Sequence, residues 1–202
     1  KIVSAAEAVD LIHDGDTLIC SGFGVVGVPD ELTRALEQRF LDTGAPRDLT
    51  LLFGGGPGDG KEAGANRLAH EGMLARVIGG HYGRVISHLY REIAAGKPGN
   101  LSPVGLGTFV DPRLQGGKVN ARTTRDIVEV VTLGGREMLF FHAPRPNVAF
   151  IRGTVADPAG NIARDREALT QDTLAIAMAT KNAGGRVIAQ VEPLQDRFRR
   201  RL

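Results

Sequence analysis

Tryptophan is absent from this 202-residue chain, tyrosine occurs twice, cysteine once, and aromatic residues together make up 5%. Each scarcity excludes something. A nucleic-acid groove sets Lys and Arg along one face with aromatics interleaved, and the chain lacks both the aromatics and a distributed excess of cations. Its 25 Lys and Arg stand against 23 Asp and Glu, a net charge of +2, and four of the cations (Arg197, Arg199, Arg200 and Arg201) crowd the last residues. The pI of 8.9 is a property of that tail, and no nucleic acid is expected as a partner. The single cysteine, Cys20, excludes an intramolecular disulfide and any cysteine-rich zinc site, which points to a reducing, cytoplasmic compartment. No apolar run approaches the ~20 residues that span a bilayer. Lys1-Ile2-Val3-Ser4 also lacks the apolar stretch of a signal peptide, so no membrane association is expected.

Glycine, by contrast, is abundant: 27 residues of 202, near twice the usual ~7%. Such an excess marks tight turns and backbone that something else approaches closely. The length fits one domain, 1–202, because single cores grow to about 250 residues before chains divide. Ser4-Ala5-Ala6-Glu7 is a capping box. Ala5, Ala8, Val9 and Ile12 follow at helical spacing, and Asp14-Gly15 stops that helix. Thr17 to Cys20 reads as a strand, Ser21 to Gly27 as a glycine loop, and Pro29 opens a helix with Leu32, Ala35, Leu36 and Phe40 on its buried stripe. The unit recurs with strand Leu49 to Phe53, loop Gly54 to Gly60, helix Asn66 to Leu74 and strand Arg76 to Ile78. A further helix is expected through Val85, Ile86, Leu89, Tyr90 and Ile93, closed by Gly96-Lys97-Pro98-Gly99.

This alternation predicts an α/β fold, a mostly parallel sheet with helices on both faces. A smaller antiparallel lobe or edge is expected from strands Ile127 to Leu133, Glu137 to Phe141 and Val148 to Val155. The hairpin signal Gly134-Gly135 separates the first two. A last helix, Ala168 to Asn182, ends at Gly184-Gly185 and feeds strand Arg186 to Val191.

Gly22-Phe23-Gly24-Val25-Val26-Gly27 satisfies the dinucleotide pattern G-x-G-x-x-G between a strand and a helix, but the second strand ends Phe53-Gly54 where a ribose-binding acid would stand. Three readings compete: a dinucleotide site, a tight structural turn, and a loop whose backbone N–H groups face a reacting substrate. The last is preferred. Gly55 to Lys61 matches a Walker A loop up to Glu62, where a hydroxyl for Mg²⁺ is needed and a carboxylate would repel nucleotide. No serine sits in G-x-S-x-G. The five histidines (His13, His70, His81, His88 and His142) have no metal-ligand spacing, so no metal is expected. Cys20 inside its apolar strand reads as inert packing.

The stretch Asp14-Gly15 through Ser21-Gly22-Phe23-Gly24 to Gly27-Val28-Pro29 resembles the first signature of the class I coenzyme A transferases, with Ser21 in place of the first glycine of a pair. Residues 53–60, 88–99, 107–113, 151–154 and 184–191 are similar to the acetate/propionate and 3-ketoacid branch of that family. Members of the branch carry an extra stretch where this chain passes from Gly83 to Arg84. Their nucleophilic glutamate lies in a C-terminal half, and no glutamate here fits it, so the resemblance is to the N-terminal, α, half.

It implies transfer of coenzyme A between an acyl-CoA and a short-chain carboxylic acid, with coenzyme A as substrate and no permanently bound cofactor. A β half, fused or separate, is the implied partner, in a homo- or hetero-oligomer. No catalytic residue is expected in this chain. Gly22, Phe23, Gly24, Val25 and Gly27 are the implied oxyanion and acyl-pocket wall, and Gly54, Gly55 and Gly56 the facing wall. The alternative is a non-catalytic α/β module that holds an acyl-CoA or a nucleotide.

Overall fold

The computed structural model describes residues 1–80 and 94–192. The expected helix of residues 85–93, the Gly83–Arg84 junction, His81, His88 and the arginine tail lie outside the described residues. Ser4 caps α1 (Ala5–Val9) reciprocally: its Oγ accepts the Glu7 N–H at 3.2 Å, and the Glu7 carboxylate accepts the Ser4 N–H at 2.9 Å. The chain continues through β1 (Thr17–Cys20), β2 (Phe23–Gly24), α2 (Asp30–Thr43), β3 (Leu49–Phe53), β4 (Gly55–Pro57), a 3-10 turn (Ala65–Leu68) and β5 (Leu74–Gly79). After it come β6 (Gly99–Ser102), β7 (Val128–Leu133), β8 (Arg136–His142), β9 (Val148–Arg152), β10 (Val155–Ala156), β11 (Ile162–Ala163), α3 (Thr173–Asn182) and β12 (Arg186–Gln190).

Five of these strands form a parallel sheet in the order β12-β9-β1-β3-β5. Side chains of a strand alternate between faces, and the core divides accordingly. Leu18, Cys20, Leu49, Leu51, Val148 and Phe150 pack with α1 and α2 through Val9, Leu32, Leu36 and Phe40. Ile19, Leu52, Ala149 and Ile151 pack with Ile176 and Ala179 of α3. Burial on both faces is why these strands read as continuous apolar runs. The order reverses beside β1, with β3 and β5 on one side and β9 and β12 on the other. In open α/β sheets ligands bind at such a reversal, beyond the C-terminal ends of the strands.

The antiparallel part is a separate three-stranded sheet, β6-β8-β7. Gly134 and Gly135 both have positive φ, 57° and 75°, as a two-residue hairpin turn requires. Three elements differ from expectation. In place of the expected helix Asn66 to Leu74 there is only the 3-10 turn Ala65–Leu68, since Gly72 at φ 82° bars a helical continuation and Leu74 already opens β5. The expected strand Val148 to Val155 does not join the antiparallel part: Val148–Arg152 is β9, hydrogen-bonded in parallel between β1 and β12, and the chain leaves it at Gly153, whose N–H donates to Gln190 O at 2.9 Å, whereas the Thr154 N–H turns to Ala163 O at 2.8 Å. The expected helix from Ala168 starts only at Thr173, since Gln171 has φ 47° and the Arg164 guanidinium takes the Leu169 and Thr170 carbonyls.

Candidate active site

A cavity of ≈ 340 Å³ opens at the C-terminal ends of the parallel strands. Cys20, Ser21, Gly22 and Phe23 line it from the end of β1, Gly54 and Gly55 from the end of β3, and Gly80 from the end of β5. Leu169, Thr170, Gln171, Asp172 and Ile176 close the other side.

Two glycine segments build the first wall backbone against backbone. β2 and β4 pair in parallel, Phe23 opposite Gly55 and Gly24 opposite Pro57. Gly22, at φ 130°, has no room for a side chain: a Cβ there would lie 2.6 Å from Val28 Cγ2 and 2.9 Å from Pro57 Cβ. Phe23 and Val26 exchange both backbone hydrogen bonds, each 3.0 Å, around a tight turn whose first central residue, Gly24, has φ 55°. Ser21 closes the loop. Its N–H donates to Phe150 O at 3.0 Å, tying the loop to β9, and its buried Oγ donates to Gly27 O at 3.2 Å.

Of the eight expected wall residues, Gly22, Phe23, Gly54 and Gly55 line the cavity. Gly24 and Val25 form the turn, with Val25 exposed; Gly56 lies in β4; Gly27 abuts the Gln171 carboxamide, 2.8 Å from where its Cβ would be. The wall from Leu169 to Ile176 is not among the expected residues. Its signal was available, because a helix joining parallel strands begins at the same end of the sheet as the strand-following loops.

The geometry also weighs the two nucleotide motifs. A dinucleotide site offers its pyrophosphate the first amides of the following helix. Here the Glu31 and Leu32 N–H groups donate to Gln190 Oε1 at 2.9 and 3.4 Å. In the Walker-like loop the Asp59 carboxylate accepts the N–H groups of Lys61, Glu62 and Ala63 at 2.8, 2.9 and 3.0 Å. The Ala63 N–H is the largest of the causes that hold the Asp59 carboxyl below the usual range. A tethered anion thus fills the nest a phosphate would need. Burial pushes the Cys20 thiol up to about 12, so it is un-ionised and a poor nucleophile at neutral pH. Among the described residues no group of three His, Cys, Asp or Glu side chains could hold a metal, and no helix is long and apolar enough to cross a membrane.

The second glycine segment is anchored from below. Arg67 donates to both Asp30 carboxylate oxygens at 3.2 Å and to Glu37 at 3.4 Å, Asp30 also accepts the Gly64 N–H at 2.7 Å, and His70 Nε2 lies 2.9 Å from Glu37 Oε1. The Arg67 hydrogen bond is the main reason the Asp30 carboxyl sits below its ordinary value, opposed by partial burial and aided by the Gly64 N–H. A carboxyl lowered on folding adds stability above its unfolded value, about 3.9, and loses it as pH falls through the folded value. Arg67→Ala should therefore lower stability at pH 7 by about 1 kcal/mol, Asp30 being partly exposed. The deficit should shrink below about pH 4. Urea unfolding at pH 7 and pH 3 measures both; a deficit equal at the two pH values contradicts the pairing.

The family model described as "Coenzyme A transferase" matches residues 2–93 and 86–201. The chain is 43% identical to "Caffeate CoA-transferase" of Acetobacterium woodii over 95% of its own length and 41% of that protein. It is 29% identical to the alpha subunit of the acetate CoA-transferase of Escherichia coli (strain K12), over 80% of this chain and 74% of that one. The solved structure of the acyl-CoA transferase (YdiF) apoenzyme from Escherichia coli O157:H7 superposes with TM-score 0.92 at 34% identity, covering 98% of this chain and 42% of that chain. The chain thus spans about two fifths of the length of the first of these relatives and of the solved structure.

Proposed function

Because the chain belongs to the coenzyme A transferase family, as the α half of its class I members, we propose that residues 1–202 form one domain that supplies half of a coenzyme A transfer site. A β half supplies the nucleophilic glutamate. The substrates are an acyl-CoA and short-chain carboxylic acids, and coenzyme A comes and goes as substrate. The observation that carries the reading is the wall of Gly22, Phe23, Gly54 and Gly55 around the cavity at the sheet's reversal.

The chemistry needs such a wall. A glutamate carboxylate attacks the acyl-CoA thioester, expelling the thiolate and leaving an acyl anhydride. The thiolate then attacks the enzyme-side carbonyl, giving an enzyme thioester and the free acid, and an incoming acid reverses the sequence. Each attack builds negative charge on a carbonyl oxygen, and one well-placed N–H donor is typically worth roughly 3 to 4 kcal/mol there. The Phe23 and Val26 N–H groups are committed to each other's carbonyls, so the donor role is assigned to the wall amides of Gly22 and Gly54. Phe23, exposed at the cavity rim, shapes the acyl end. Docking of the β half is supported by the exposed Val104, Phe109, Leu114, Val119 and Leu133 in and around the antiparallel sheet.

Co-expressed with its β half, the chain should transfer CoA from an acyl-CoA to a carboxylic acid, whereas either half alone should not. A folded, co-purified pair that transfers no CoA and binds ATP or NAD instead would contradict the reading.

A further inference from the structure

Gln171 carries two costs at one position. Its φ of 47° is rare for any residue with a side chain, and such strain persists only where the surroundings over-determine it. Here they do: Arg164 holds the carbonyls of both preceding residues, Leu169 at 2.9 Å and Thr170. The Gln171 Oε1 is buried with no hydrogen-bond partner, which an apolar side chain of similar volume would avoid.

What the carboxamide offers is its donor. Nε2 reaches across 145 positions of sequence to donate to Val26 O at 2.8 Å. The same carbonyl closes the tight turn by accepting the Phe23 N–H. Gly27, at φ 65°, leaves the space the carboxamide occupies, so its missing side chain admits Gln171 rather than substrate.

We infer that Gln171 is a positioning residue that locks the Phe23–Val26 turn, and with it the Gly22–Phe23 wall, from the opposite side of the cavity. The inference rests on the reading of that wall as part of the transfer site, and its test has one arm that does not need activity.

In the assembled enzyme, Gln171→Leu removes the donor at similar volume. Amide hydrogen exchange at Phe23 and Val26 should quicken by about 10-fold or more, while amides of β1 and β3 keep their rates. The kcat should fall on the order of 10- to 100-fold, with KM for acyl-CoA within about threefold. Gln171→Glu supplies the second arm and covers failure of the leucine variant to fold. An ionised carboxylate cannot donate to Val26 O, but a protonated one can. The kcat of this variant relative to the parent should therefore rise as pH falls from 7 to 5. Asp172 and Cys20, which line the same cavity, and Arg164, which holds the Leu169 and Thr170 carbonyls, are present in both proteins, so the parent is measured at each pH as the reference. Unchanged exchange at Phe23 and Val26 overturns the inference, as does a flat ratio with normal kcat. Faster exchange in a protein whose parent transfers no CoA supports the lock and overturns the proposed function instead.

Discussion

Gly22→Ala should destabilise the protein by about 2 to 5 kcal/mol, combining backbone strain and overpacking. At φ 130° an alanine is strained whatever the space. There is no space either, because its methyl would sit 2.6 Å from Val28 Cγ2, 2.9 Å from Pro57 Cβ and 3.3 Å from the Val28 backbone. Neither neighbour can swing away, since Val28 is buried at the entry to α2 and Pro57 is buried in β4. Such a loss is a large share of a typical 5 to 15 kcal/mol. It should appear in urea as a lower midpoint with an unchanged slope. Gly24→Ala is the control: its φ is also positive, 55°, but nothing lies within 4 Å, so about 1 kcal/mol is expected. Equal effects of the two substitutions would contradict the packed-wall description.

Gly55→Val should do the opposite, sparing the fold and damaging turnover. The backbone of Gly55 is not in the left-handed region. Its Cβ would press on Phe23 Cδ2 at 2.9 Å and lie 3.2 Å from Gly22 O. The Phe23 ring is more than half exposed and free to turn, so the stability cost should stay near 1 kcal/mol. The displaced ring and the shifted Gly22 carbonyl both belong to the cavity wall, and misplacement by about 1 Å can cost on the order of 100-fold in rate. Steady-state kinetics of the assembled enzyme should show kcat reduced by that order. A folded Gly55→Val enzyme with near-normal kcat would remove the role given to this wall.

The framework was legible where one rule decided the outcome. Thr17 to Cys20 and Leu49 to Phe53 are apolar on both faces and became neighbouring parallel strands. Ser4 and Glu7 formed their reciprocal cap, and Gly134-Gly135 made the hairpin. Sequence reading was weaker where distant groups set the geometry. Gly99–Ser102 has little intrinsic strand preference and is a strand through its pairing with β8. Residues 169–172 lie upstream of an apolar helical pattern, and it is Arg164, through the Leu169 and Thr170 carbonyls, that turns them out of the helix and onto the cavity. At the site, the glycine loops could be read as places of close approach. What approaches could not, since Gly22 accommodates Val28 and Pro57 while Gly27 accommodates Gln171.

The proposed function is a division of labour in which this chain would wall the site and carry no covalent intermediate. Among its described residues, the carboxylate that lines the cavity is Asp172, which makes the claim directly measurable. The 202-residue chain, isolated and in complex with its β half, is incubated with acyl-CoA and mapped by mass spectrometry, with borohydride used to reduce any thioester. A borohydride-sensitive CoA adduct is expected on a glutamate of the β half in the complex, and none on this chain in either sample. A stoichiometric CoA adduct on a carboxylate of this chain, at Asp172 or elsewhere, would contradict that division of labour.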